Sequence, residues 1–145
     1  MKKIIVTGGS GFIGSNLVNF LIRKNFFVIN LDKLTYSSNN YKNNLKNKKN
    51  YKLIKIDILK RKKIIEIIKR YKPNAIFNLA AETHVDRSID GPANFINTNI
   101  NGTFNLLEAL RHLKKININP KLIHISTDEV YGDIKKGKRS NEDHK

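Results

Sequence analysis

The feature that most constrains this chain is a glycine-spaced turn, "VTGGSGFIGSNL", set between a short apolar run and an amphipathic stretch. Gly8, Gly11 and Gly14 give the spacing G-x-x-G-x-x-G. Glycine at such positions permits a tight turn and lets the backbone approach a ligand closely. A turn of this kind needs a strand to deliver it and a helix to leave it, so the start of the chain is committed to strand, turn, helix. A pyrophosphate held by such a turn lies against the helix N-terminus, where unpaired N–H groups and the helix dipole favour negative charge.

The rest of the chain repeats that alternation. "KIIVT" (3–7), "FFVINLD" (26–32), "YKLIKID" (51–57), "AIFNLA" (75–80) and "KLIHIS" (121–126) read as strands. Their near-continuous Ile, Val, Leu and Phe content predicts strands covered on both faces. Between them, Ile13, Leu17, Phe20 and Leu21 share one helical face, as do Ile64, Ile67, Ile68 and Tyr71, and then Leu106, Leu110 and Leu113. Pro73 and Pro120 each stand just ahead of a strand and end the helical pattern before it. Strand alternating with helix predicts right-handed crossovers and a doubly wound parallel α/β sheet, as one domain over residues 1–145. Residues 33–50, "KLTYSSNNYKNNLKNKKN", are polar and poor in helix formers, and are expected as a long loop with at most a turn of helix.

Composition removes several alternatives. Lys and Arg number 28 against 12 Asp and Glu, a net charge of +16. The basic residues are scattered along nearly every segment among many Asn and Ile, which fits genome composition better than a selected nucleic-acid surface, and no specific nucleic-acid partner is expected. The absence of Cys excludes disulfides and thiolate metal sites, and the four His show no close ligand spacing, so no metal is expected. No apolar run approaches membrane-spanning length, and the expected location is cytoplasmic.

The second strand ends at Asp32, roughly 20 residues beyond the glycine loop, where an acid accepts from a ribose 2′-hydroxyl and repels a 2′-phosphate. That placement turns the glycine spacing into a Rossmann-type dinucleotide fingerprint and favours NAD over NADP, with Lys33 next door working against the preference. In such a sheet ligands lie beyond the carboxyl ends of the strands. Those ends carry Asp32, then Asp57 and Ile58, "AAETH" (80–84), and "STDE" (126–129). Thr127, Asp128 and Glu129 therefore stand where cofactor and substrate would meet, although two adjacent acids are, by themselves, equally a solvated strand end.

"TGGSGFIGSNL", "LDKLTYSSN", "NLAAETHVDRSI", "FINTNINGT" and "ISTDEVYGD" together resemble the extended short-chain dehydrogenase/reductases, and within them the nucleotide-sugar 4,6-dehydratases, over essentially the whole chain. The glycine loop is common to that superfamily, whereas "STDEVYG" is more specific, because related epimerases carry small or hydroxyl residues at the two acids. The resemblance implies that Phe12 and Ile13, with the glycines, contact NAD. Asp32, Lys33, Leu34 and Thr35 would hold the adenosine ribose, and Asp57 and Ile58 would lie by the adenine. Leu79, Ala80, Ala81, Glu82 and Thr83 would run beneath the cofactor, with Thr98 completing the site. Thr83 and Thr127 would touch the sugar, Asp128 would donate a proton and Glu129 accept one. It implies dTDP-glucose as substrate, loss of water on the route to rhamnose, and a homodimer for the full-length protein.

The family also uses a Tyr-x-x-x-Lys pair on a helix. Two stretches match that spacing, Tyr51 to Lys55 on the third strand and Tyr131 to Lys135 in the turn of "STDEVYG", and neither suits a helix beside the cofactor. The family's own pair and its substrate-binding half would fall after Lys145, so the expectation is the N-terminal part of such an enzyme. A dinucleotide-binding module without turnover and a related nucleotide-sugar epimerase or decarboxylase stand as alternatives.

Overall fold

The computed structural model describes residues 1–38, 49–134 and 137–144. Five parallel strands form one sheet: β1 (Lys3–Thr7), β2 (Phe27–Asp32), β3 (Tyr51–Lys55), β4 (Ala75–Asn78) and β5 (Lys121–His124), in the order β3-β2-β1-β4-β5. The chain steps outward from β1 to β3, then returns across the sheet to β4 and β5. The switch point lies between β1 and β4, and the crevice there is where an open α/β sheet receives its ligand.

Right-handed crossovers then fix which face each helix covers. Helix α1 (Phe12–Arg23) covers one face, where Val18, Leu21 and Ile22 pack on Ile4, Val6 and Val28. Helices α2 (Arg61–Tyr71) and α5 (Thr103–Lys114) cover the other, where Ile64, Ile68, Leu106, Ala109 and Leu113 pack on Ile5, Ile29, Leu31 and Ile76. Alternate residues of each strand thus feed two separate cores, as the period of two requires.

Several sequence-based expectations need correction. Four of the five strands are shorter than their apolar runs, so Ile56, Asp57, Leu79, Ala80, Ile125 and Ser126 lie past the strand ends. Both edge strands are only half covered: in β3 and β5 no residue is fully buried. The buried face of α1 is Gly14, Ser15, Val18, Leu21 and Ile22, while Ile13 and Phe20 face outward at 63% and 49% exposure. The reason is Gly14, which lies so close to the backbone of Gly8 and Gly9 that the helix is rolled onto its glycine edge. Of the long loop expected at 33–50, residues 33–38 are irregular and 39–48 lie outside the described residues.

The connection from β4 to β5 holds more than the one helix the apolar periodicity predicts. It contains α3 (Val85–Asp90), α4 (Pro92–Phe95) and a π-helical segment, Ile96–Gly102, that runs directly into α5. Pro92 at the first turn after Gly91 was the available start signal. After β5, Thr127 caps a short 3-10 helix, Asp128–Tyr131.

Candidate functional site

The glycine loop leaves β1 through Gly8, whose φ of +66° is a left-handed conformation that glycine adopts without strain. A Cβ on Gly8 would sit 2.8 Å from the Cα and N of Ala80, so the loop and the segment after β4 touch backbone to backbone. Gly11 caps α1 in extended conformation and supplies no side-chain acceptor, and the first turn contains no acid. The N–H groups opening this helix of 12 residues therefore have no side-chain cap from Gly11 and no acid in the first turn.

Asp32 ends β2 beneath this loop, 8% exposed. One carboxylate oxygen accepts the Ser10 N–H at 2.8 Å, and the other accepts the Leu34 N–H at 2.7 Å and the Ser38 hydroxyl at 3.4 Å. The acid thus fixes both the loop and the turn that follows β2. Ser10 is held a second time, because Asn30 on β2 donates to its hydroxyl and to the Tyr51 hydroxyl, each at 3.0 Å. Burial raises the Tyr51 pKa against the lowering effect of that Asn30 bond, with the Asp32 charge adding to the rise.

A cavity opens over these groups, lined by Gly8, Gly11, Asp32, Lys33, Thr35, Asp57, Ile58, Leu79, Ala80, Ala81, Glu82 and Thr98, with Ser37 and Ser38 at its side. Of the residues assigned to a cofactor from sequence, Phe12, Ile13, Gly14, Leu34 and Thr83 do not line it. Phe12 and Ile13 stand exposed at the head of α1, and Thr83 belongs to a neighbouring cleft. Lys33, whose charge argued against the NAD preference, is paired with Asp57 at 3.0 Å. Burial disfavours the Asp57 anion, but the Leu59 N–H and Lys33 outweigh it and hold the carboxyl below its ordinary value of 3.8.

That cleft has a volume of about 410 Å³ and is lined by Ala80, Ala81, Glu82, Thr83, Ser88, Phe95, Asn99, Thr103, His124, Ser126, Thr127 and Glu129. It shares Ala80, Ala81 and Glu82 with the first cavity, so the two abut. Thr127 accepts the Glu129 N–H at 3.4 Å and donates to Asp128 at 3.3 Å. Thr127 and Glu129 reach the cleft wall; Asp128, exposed on the same turn, does not line it.

The π-helical segment serves both spaces. It sets Thr98 on the first cavity and Asn99 on the second. Asn99 clasps the backbone of Glu82, accepting its N–H and donating to its C=O, both at 2.9 Å. Sequence reasoning missed Ser37 and Ser38 beside the first cavity, and Asn99 and His124 in the cleft. It also missed Tyr36, whose ring lies 3.9 Å from the Arg87 guanidinium and 6.0 Å from the His84 ring, tying the segment after β2 to α3. Among the described residues, no group of His, Asp and Glu could hold a metal, and no helix is long and apolar enough to cross a membrane.

A parallel sheet with this strand order, a glycine loop at its switch point and an acid at the end of β2 define a Rossmann-type α/β domain. The chain belongs to the GDP-mannose 4,6 dehydratase family, which it matches over residues 5–145. It is 47% identical over 143 residues to a dTDP-glucose 4,6-dehydratase of Haemophilus influenzae, covering 92% of this chain and 42% of that protein. A dTDP-glucose 4,6-dehydratase of Escherichia coli is 48% identical over 139 residues, covering 91% and 38%. The crystal structure of Bacillus anthracis dTDP-glucose 4,6-dehydratase in complex with NAD superposes with a TM-score of 0.82 at 38% identity, over 100% of this chain and 44% of that one. Thermus thermophilus UDP-glucose 4-epimerase in complex with NAD also gives 0.82, at 28% identity, over 98% and 43%. The chain thus spans about two fifths of the length of the curated relatives it matches.

Proposed function

We propose that this chain forms the NAD-binding part of a dTDP-glucose 4,6-dehydratase, a hydro-lyase of nucleotide-sugar metabolism on the route to rhamnose. The observation that carries the reading is the abutment of two spaces: a cavity built on the glycine loop and Asp32, and a cleft bearing Thr83, Thr127 and Glu129. The residues present fit the dinucleotide. Gly11 leaves open the space a Cβ would fill, with Gly8 O nearest at 3.4 Å, the head of α1 offers uncapped N–H groups, and Asp32 keeps a lone pair for a ribose beside its three donors. Pairing with Asp57 takes up the Lys33 charge that a 2′-phosphate would otherwise meet.

NAD, when bound, supplies the hydride acceptor for carbon 4 of the sugar and returns that hydride to carbon 6. The chain's own residues do the proton work of the elimination. The proton of the carbon 4 hydroxyl goes to the family's Tyr-x-x-x-Lys base, and neither Tyr51 nor Tyr131 lines the cleft. A ketone at carbon 4 acidifies the carbon 5 proton, which Glu129 takes as a base from the cleft wall. Asp128, on the same turn but off the cleft wall, is the proposed donor of a proton to the departing hydroxyl of carbon 6, which requires its side chain to turn toward the cleft. Thr127 binds the sugar oxygen at carbon 4, and its bonds to Asp128 and to the Glu129 N–H set the two acids relative to each other. The full-length partner is a second copy, a reading supported by the exposed stripe Ile96, Ile100, Phe104 and Leu107 along the π segment and α5.

The test is a chimera in which this chain replaces the matching part of the Haemophilus influenzae relative. The chimera should exchange the carbon 5 proton of dTDP-glucose with deuterated solvent. Glu129→Gln should slow that exchange by roughly 10² to 10⁴, while Asp128→Asn permits it and slows water loss. Exchange at the parent rate in Glu129→Gln would remove Glu129 as the base. A second reading, binding without turnover by this chain alone, is favoured by one placement. Tyr51 and Lys55 both lie within strand β3, with Tyr51 bonded to Asn30, and not on a helix beside the cleft.

A further inference from the structure

One side chain of the cleft has its hydrogen-bonding sense dictated from the sheet beneath it. His124 ends β5, in register with Asn78 on β4, which is in register with Thr7 on β1. The Ala80 N–H donates to the Thr7 hydroxyl oxygen at 3.2 Å, and the Thr7 hydroxyl lies 2.6 Å from the Asn78 amide oxygen. Thr7 is 0% and Asn78 1% exposed, so no solvent intervenes. A backbone N–H can only donate, so the Thr7 hydrogen points to Asn78 Oδ1. The amide is thereby oriented, and Asn78 Nδ2, a pure donor, faces His124 Nδ1 at 3.0 Å. Nδ1 must accept, and the ring hydrogen sits on Nε2.

We propose that His124 is a substrate-binding residue of the cleft, held by Thr7 and Asn78 in its Nε2–H tautomer so that this N–H donates to an uncharged oxygen of the sugar, a hydroxyl or the carbon 4 ketone. The proposal rests on reading the cleft as the substrate site, where His124 shares the wall with Thr83, Thr127 and Glu129. Nε2 makes no hydrogen bond among the described residues, so none of them takes up the donor. A donor locked in this sense also cannot take the proton that Glu129 removes through Nδ1, and Glu129 keeps the base role to itself.

The test uses the full chain labelled with nitrogen-15. Long-range proton–nitrogen spectra should show His124 carrying hydrogen on Nε2 and a bare Nδ1, and Thr7→Val, which removes the relay hydroxyl at constant shape, should admit the other tautomer. A wild-type His124 with hydrogen on Nδ1 overturns the proposal. Titration with dTDP-glucose in the presence of NAD is then followed at the Thr83 and Thr127 amides. His124→Phe should weaken binding about tenfold, the loss of one hydrogen bond, and His124→Gln should restore most of it. Equal affinity in wild type and His124→Phe, or no dTDP-glucose binding to the wild type, overturns the proposal. NAD titration of the same samples separates the two claims: wild-type chain that takes up NAD but shows no His124 effect defeats only this inference. Failure to take up NAD defeats the proposed function itself.

Discussion

At Gly14 a single hydrogen in place of a methyl group decides how the first helix sits on the sheet. A Cβ there would fall well inside contact distance of Gly8 O, with Gly9 Cα 2.8 Å away, and both obstacles are backbone. Gly14→Ala should therefore cost about 1–3 kcal/mol, the usual penalty for overpacking, and should lower Tm; an unchanged Tm would show that α1 can lift without cost. Asp57 gives the residue-scale pH dependence. Its folded pKa lies below the ordinary 3.8, so the unfolded chain takes up the proton first on acidification. The stability this group contributes is complete above that value and is lost as pH falls through the folded one. Lys33→Met should shrink the difference between urea midpoints measured at about pH 5 and about pH 3, by lowering the midpoint at the higher pH with little change at the lower one. Because the pair is partly exposed, the effect should be small and should fade with salt. A midpoint difference equal to that of the wild type would show that Lys33 does not hold the acid down.

Elements, more than single residues, explain why only part of the site could be read in advance. Asp32 and the Thr127–Glu129 trio were visible because an apolar run that stops at a polar residue marks a strand's carboxyl end, and such ends are where this fold works. The roll of α1 was not visible, since it depends on Gly14 meeting Gly8 and Gly9 across the loop. Nor was the π segment: its insertion puts Thr98 and Asn99 on adjacent cavities, and the Asn99 clasp on Glu82 spans 17 residues. The bond between Asn78 and His124 joins residues 46 apart and exists only once the strands are in register. The same helix carries the element-scale prediction. Ile96, Ile100, Phe104 and Leu107 are each at least half exposed and recur at helical spacing. Sedimentation velocity should show self-association of the chain at tens of micromolar, and the double change Ile100→Lys with Phe104→Glu should abolish it. A double variant that sediments like the wild type would assign the contact elsewhere, with the half-covered edge strand β5 the next surface to probe.

For the whole molecule, the parallel sheet and its switch point carry two abutting spaces, which the proposed function assigns to one long, anionic ligand with a reactive end. The orientation proposed for that ligand puts phosphates at the head of α1, ribose at Asp32, and the reactive end toward the cleft of Thr127 and Glu129. The most direct measurement is calorimetric titration of the chain with NAD and with NADP at one ionic strength. NAD should bind, with NADP weaker by at least about tenfold, and Asp32→Ala should lose that preference. Equal or tighter binding of NADP, or no binding of either at millimolar ligand, would contradict it.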